Sequence, residues 1–88
     1  MRLDKFLKVS RLIKRRTVAS SACGAGRIFV NGKEAKAGYQ LKIGDEICLE
    51  FGKSKLTVKV QQLKETVRKE EAETLYQVVS HETQSAEV

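Results

Sequence analysis

The spacing of apolar residues changes at Gly26, and this change constrains the fold more than any other feature of the chain. Before it, Leu3, Phe6 and Leu7 recur at the spacing of one helical stripe. After it, apolar and polar residues alternate from Ile28 onward, a pattern typical of strands. The sequence therefore predicts an α+β protein in which helices precede a small sheet.

Two short helices are predicted, over residues 2–9 and 18–25. The first carries Lys5 and Lys8 opposite its apolar stripe and breaks near Ser10. The second is predicted to be capped by the Thr17 hydroxyl and ended by Gly26 in a left-handed conformation. Small side chains on its inner face would let the two helices pack closely: Ala19, Ala22 and Cys23.

Turn residues divide the rest of the chain into antiparallel strands. Asn31-Gly32 provides the positive-φ pair of a tight hairpin, and further turns are predicted at Gly44-Asp45 and Gly52-Lys53. The runs flanking Gly52 predict a hairpin with one buried face, formed by Ile47, Leu49, Phe51, Leu56, Val58 and Val60. Phe6 and Phe51 are both predicted to lie in the core.

A third, short helix is predicted near the C-terminus, because Ala72, Leu75 and Val79 recur at near-helical spacing. These elements predict one small domain over residues 1–63, a helical extension over 64–80 and a flexible tail over 81–88. The predicted architecture is two packed N-terminal helices on a small antiparallel sheet, with a short C-terminal helix.

Net positive charge is confined to the first half of the chain. Residues 1–42 hold eleven Lys or Arg against two Asp or Glu, whereas residues 43–88 hold six against nine. A basic half attracts and steers a polyanion, which for a cytoplasmic chain is usually nucleic acid. A basic surface kept only for solubility would not require the positive and negative charges to be divided between the two halves of the chain.

Catalytic and metal-binding patterns are missing from the sequence. Cys23 and Cys48 lie 25 positions apart, with a single histidine, His81, in the polar tail. Both cysteines are therefore predicted to be small buried residues, and no cofactor, metal or enzymatic activity is expected. No apolar run is long enough to cross a membrane, and MRLDKFLKVS is charged where a signal peptide is apolar. The expected location is the cytoplasm.

Four pieces of sequence occur in register within residues 1–49: RLDKFL, RLIKRRTVA, GRIFVNG and GDEI. In this order and spacing they resemble the RNA-binding domain first described in ribosomal protein S-four, also called the alpha-L motif. The continuation LTVKVQQLKETVRKEEAETLY resembles small heat-shock ribosome-binding proteins and bacterial ribosome quality-control factors. The resemblance implies a factor that docks on the large ribosomal subunit, contacts ribosomal RNA and peptidyl-tRNA, and supports alanine tailing of stalled chains with the partner RqcH. We expect a monomer with no membrane or DNA partner.

Charge and resemblance together predict an RNA-binding surface. The predicted surface consists of Arg2, Lys5, Lys8, Arg11, Lys14, Arg15, Arg16, Thr17, Arg27, Asn31, Lys33 and Lys36. Of these, Arg2 and Arg16 match family positions associated with RNA contact, whereas Asn31 serves its turn first. Asp4 is predicted to orient a neighbouring arginine or to favour the helix N-terminus. Contacts to RNA shape and backbone are expected to dominate, with Phe29, Tyr39 and Tyr76 as stacking candidates.

Two other functions stay open at this stage. The chain could be the RNA-targeting subunit of an RNA-modifying enzyme whose catalytic residues lie in a partner. It could also be a DNA-binding helix-turn-helix protein. The second helix, VASSACGA, argues against DNA because it lacks long polar side chains that could read a major groove.

Overall fold

The computed structural model describes residues 1–83. These residues form one five-stranded antiparallel sheet, in the order β2-β1-β3-β4-β5, with helices packed against it. The elements are α1 (Leu3–Val9), α2 (Arg16–Gly24), β1 (Ile28–Val30), β2 (Lys33–Glu34), β3 (Glu46–Phe51), β4 (Ser54–Val60), a 3-10 helix (Lys69–Leu75) and β5 (Tyr76–Thr83). The predicted α+β class, with two N-terminal helices on an antiparallel sheet, is confirmed.

Both α-helices end where the sequence predicts. Ser10, which is 1% exposed, caps the end of α1, and its hydroxyl donates to the Leu7 carbonyl at 3.2 Å. Gly26, at φ +75°, follows α2 in the left-handed region, and the Arg27 amide donates back to the Ala22 carbonyl at 3.0 Å. This closing bond satisfies a carbonyl that the helix end would otherwise leave free.

The predicted turns also form. Asn31 and Gly32 have φ values of +52° and +84°, as a tight hairpin between β1 and β2 requires. The Asn31 side chain secures this hairpin, because its Oδ1 accepts from the Glu46 amide at 3.0 Å and its Nδ2 donates to Asp45 at 3.1 Å. Gly52, at φ +55°, lies in the turn between β3 and β4.

The core lies between the helices and one face of the sheet. Its fully buried members include Leu3, Phe6, Leu7, Ala19, Cys23, Ile28, Ile47, Leu49 and Val58. Burial raises the pKa of the Cys23 thiol, and the charge of Asp4 acts in the same direction. Cys48, also predicted to be buried, is only half-buried, since it faces away from the core between Ile47 and Leu49.

Phe51 is not a core residue, contrary to the prediction. It is the last residue of β3, directly before the turn at Gly52, and it remains 40% exposed. Its strand partner is Ser54, at the start of β4. The alternation of β3 continues to its end, but the packed core does not.

The C-terminal prediction is correct only in part. Ala72 and Leu75 are buried as predicted, but they lie on a 3-10 helix that ends at Leu75. Residues 76–80, expected to continue a helical extension, instead belong to β5, which pairs with β4. β5 also includes His81 and continues to residue 83, within the predicted tail, whose other residues, 84–88, lie outside the described part. Val79 is 52% exposed because it lies on this strand at a β-bulge opposite Thr57 and Val58.

Two negative observations apply to residues 1–83. No helix there is long and apolar enough to span a membrane. The same residues contain no cluster of three or more His, Cys, Asp or Glu side chains arranged to hold a metal ion.

Candidate RNA-binding site

A buried carboxylate holds two of the predicted arginines. Asp4 lies in the first turn of α1 and is 4% exposed. Arg2 Nε donates to its Oδ1 and Arg16 Nε donates to its Oδ2, each at 3.2 Å. The Lys5 backbone amide also donates to Oδ1, at 2.9 Å. The predicted orienting role of Asp4 is confirmed, and it serves two arginines rather than one.

Electrostatics keep this carboxylate ionised. Burial by itself would raise the pKa of Asp4, because a low dielectric disfavours charge. The hydrogen bonds and charges of Arg16 and Arg2 outweigh burial and lower the pKa of Asp4 below its ordinary value. The two arginine side chains remain 52% and 46% exposed, so their other N–H groups are available to bind phosphate oxygens.

The start of α2 brings Arg16 to this position. Arg16 is the first residue of the helix, and the Arg15 carbonyl accepts from the Ala19 amide at 3.0 Å. The prediction that Thr17 caps the helix is wrong: Arg15 occupies the cap position, and Thr17 lies exposed within the first turn. The helix begins earlier because Arg16 is tied to Asp4 and small residues such as Ala19 pack its inner face.

A loop after β2 borders the same group. The Leu3 amide donates to the Tyr39 carbonyl at 2.8 Å, and the Asp4 amide donates to the Ala37 carbonyl at 3.1 Å. Gly38 lies against the Arg2 guanidinium, which is 3.8 Å from the point where a side chain on Gly38 would begin. This loop carries the exposed Lys36 and therefore adds it to the surface around Arg2.

A second basic group surrounds the connector between α1 and α2. Lys8, Arg11 and Lys14 are exposed and line one hollow of about 480 Å³. Arg15, also exposed, lies at the end of the connector. The structure therefore places the predicted cations of residues 2–16 other than Lys5 in two groups, one around Asp4 and one around the connector.

The remaining residues of the predicted surface, on and beside the hairpin of β1 and β2, form a third group. Arg27 and Lys33 are exposed beside β1 and on β2, and within residues 1–83 neither forms an ion pair. Asn31 uses its amide oxygen and nitrogen within the fold. Its turn-forming role is confirmed, and an RNA contact from this group stays a prediction.

Long-range packing brings two residues that the sequence did not indicate, Glu65 and Lys69, to the predicted RNA-binding surface. Lys5, on α1, forms an ion pair with Glu65, sixty positions away, and this contact lowers the pKa of Glu65. Lys69 lines the same hollow as Arg11. Its sequence context, RKEEAE, mixes both signs of charge and therefore gives no indication of an RNA site.

The aromatic candidates differ in accessibility. Tyr39 is 40% exposed, whereas Phe29 and Tyr76 are half-buried. Tyr76 lines a hollow of about 460 Å³ together with Arg11 and Lys69. Of the three rings, it is therefore the one that the structure places beside the basic connector.

Two packed helices that present basic side chains beside a small sheet are typical of one class of nucleic-acid-binding domain. Comparison with known proteins assigns the chain to such a class. The family model described as the S4 domain matches residues 1–47, more than half of the chain. The chain belongs to the S4 domain family.

The RQC P-site tRNA stabilizing factor of Halalkalibacterium halodurans is 62% identical over 82 residues, which cover 93% of each chain. The factor of the same name from Bacillus subtilis is 54% identical over 82 residues, covering 93% of this chain and 95% of the relative. Within the S4 domain family, these identities assign the chain to the RQC P-site tRNA stabilizing factors, called RqcP.

A solved structure extends the likeness to the C-terminal part. Heat Shock Protein 15 of Vibrio cholerae, described as trimeric, matches with a TM-score of 0.84 at 31% identity. The match covers 91% of this chain and 82% of that protein. The shared fold therefore includes strands beyond the residues that the S4 model matches.

Proposed function

We propose that this protein is a non-enzymatic RNA-binding factor of ribosome quality control. It acts in the cytoplasm as a monomer that docks on the large ribosomal subunit and contacts ribosomal RNA together with peptidyl-tRNA. The names of its full-length relatives support a role at the P-site tRNA. The observation that carries the proposal is the pair Arg2 and Arg16, held by one buried carboxylate on an otherwise basic surface.

The proposed mechanism is docking by phosphate contacts. Each guanidinium uses its Nε to bond Asp4, which leaves its terminal nitrogens for phosphate oxygens. Because Asp4 fixes both side chains before RNA arrives, less rotamer freedom is lost on binding. Lys36 and the connector cations extend the contact to neighbouring phosphates.

By holding the tRNA on the subunit, the protein would support addition of C-terminal alanine tails to the stalled chain by its partner RqcH. In this role it supplies affinity and position, and the chemistry belongs to the partner. The absence of a catalytic motif in the sequence is consistent with this division.

Arg16→Lys and Arg2→Lys test the proposal, because lysine keeps a positive charge near Asp4 but removes the planar fork. Each change should weaken co-sedimentation with large subunits that carry peptidyl-tRNA by about tenfold, since a hydrogen bond to a charged group contributes about 1.5–3 kcal/mol. Because lysine keeps the charge that displaces counterions, the salt dependence of binding should stay nearly unchanged.

Lys53→Ala is the matched control, because Lys53 is an exposed cation in the turn between β3 and β4. It should bind like the unchanged protein. Equal binding by all three variants and the unchanged protein would refute the assignment of the site to Arg2 and Arg16.

A further inference from the structure

Two hollows meet at Arg11 and Lys69, between the helix connector and the C-terminal segment. The first, of about 480 Å³, also contacts Lys8 and Lys14. The second, of about 460 Å³, extends to Tyr76. Both hollows are lined by Arg11 and Lys69 and therefore adjoin at these two side chains, and together they are here named the connector groove. It lies partly outside residues 1–47, so the S4 domain alone does not form it.

The backbone holds Arg11 in a conformation that L-residues rarely adopt. Its φ is +63°, in the left-handed region that favours glycine. Hydrogen bonds on both sides hold the connector: the Arg11 amide donates to the Lys8 carbonyl and the Ile13 amide to the Leu7 carbonyl, each at 3.0 Å. A strained position that keeps a long basic side chain, rather than glycine, is characteristic of functional sites.

The other wall of the groove is anchored to the core. Leu75 is fully buried, and its carbonyl accepts from the Gln61 and Gln62 amides at 2.8 and 3.2 Å. The ion pair between Lys5 and Glu65 joins the same segment to α1. Lys69 and Tyr76 therefore have defined positions relative to Arg11.

Charge along the groove changes from one end to the other. Four cations line the first hollow against one acid, Glu65, which is already paired with Lys5. In the second hollow, Glu70 and Glu73 lie beside the half-buried ring of Tyr76. The basic part suits a phosphate, the ring suits a base, and the carboxylates can accept hydrogen bonds from exocyclic amino groups.

We propose that the connector groove binds one unpaired nucleotide of the RNA, with its phosphate on Arg11 and Lys69 and its base stacked on Tyr76. The groove thereby adds recognition of an unpaired base to the backbone contacts of Arg2 and Arg16. This inference rests on the proposed RNA-binding function and specifies which structural element of RNA the protein selects.

The test uses two synthetic RNA hairpins that differ only in a single bulged 2-aminopurine nucleotide. The unchanged protein should bind the bulged hairpin about tenfold more tightly than the paired one, because one stacked base contributes about this factor or more. Stacking on Tyr76 should also quench the fluorescence of the 2-aminopurine. Tyr76→Leu should abolish both the preference and the quenching, whereas Tyr76→Phe, which keeps the ring, should retain them. Lys69→Ala should weaken binding of the bulged hairpin more than that of the paired one.

Tyr39→Leu, at an exposed tyrosine outside the groove, is the matched control and should leave the preference unchanged. Equal binding of both hairpins by the unchanged protein, or a preference that survives Tyr76→Leu and Lys69→Ala, would overturn the groove assignment. Arg16→Lys separates the two proposals: it should weaken both hairpins equally, and binding unaffected by that change would instead contradict the proposed function.

Discussion

Replacing Asp4 with asparagine should weaken RNA binding even though it makes the protein more positive. Asparagine keeps the shape of the side chain but offers one carbonyl oxygen and an NH₂ donor in place of two carboxylate oxygens. The carboxylate accepts from Arg2 at one oxygen and from Arg16 at the other, so an amide can satisfy only one of these donors. At least one arginine is thereby released into solvent.

The expected loss follows from two opposing contributions. Each released arginine must be immobilised again on binding, at about 0.5–1.5 kcal/mol per side chain, so two arginines contribute about 1–3 kcal/mol. In the other direction, removing a negative charge about 4 Å from a phosphate gains about 1 kcal/mol in water and less at greater separation. With the full opposing gain, we therefore expect RNA affinity to fall by up to about 2 kcal/mol, which corresponds to at most roughly thirtyfold.

Fluorescence anisotropy with a labelled RNA hairpin measures this change, and Glu34→Gln is the matched control. Asp4 and Glu34 are the two acidic residues of the basic half, and Glu34 is exposed on β2. Both substitutions remove one negative charge, but only Asp4→Asn releases the arginines. If Asp4→Asn binds RNA as tightly as Glu34→Gln, net charge rather than arginine positioning governs affinity and the reasoning is refuted.

Three further predictions concern stability. Because the pKa of Asp4 is lowered on folding, its stabilising contribution is complete above its ordinary pKa of 3.8 and is lost as the pH falls through the folded value. The acid unfolding titration of Asp4→Asn should lack this loss of stability. Leu75→Ala should lower the free energy of unfolding by about 2–5 kcal/mol, and a calorimetric melting temperature equal to that of the unchanged protein would show that the C-terminal segment is not part of the cooperative core. Arg11→Gly should stabilise the fold by about 1 kcal/mol by removing left-handed strain while weakening RNA binding, and a lower melting temperature would contradict this.

The parts of the fold that the sequence predicts are those with local physical causes. The stripe Leu3, Phe6 and Leu7 indicates the buried face of α1, and the preference of Asn31-Gly32 for positive φ indicates the turn between β1 and β2. The Asp4 interaction was also partly predictable, because an acid inside a basic run requires a partner. Its contact with Arg16 depends on how α2 packs, which spacing alone does not determine.

The C-terminal part was harder to predict because its structure depends on a distant strand. Residues 72–79 fit a helical stripe, yet Tyr76 and the two following valines also favour a strand. Pairing with β4 decides between them, and the other edge of β4 is paired with β3. The connector groove was hard to predict for the same reason, because it also depends on long-range contacts. Lys69 and Arg11 line it together although they lie about sixty positions apart, as do Lys5 and Glu65 in their ion pair.

The two basic groups along α1 are held in different ways, and both ways cost stability. The buried uncharged residues beside them offset this cost. Arg2 and Arg16 depend on a buried charge, and Arg11 depends on a strained backbone; each arrangement would destabilise an isolated helix. Packing of fully buried residues such as Phe6 and Leu7 on α1 and Cys23 on α2 offsets that cost and fixes the distance between the helices. The small inner face of α2 is therefore part of the site: it lets Arg16 reach Asp4, and a larger residue at Ala19 would separate them.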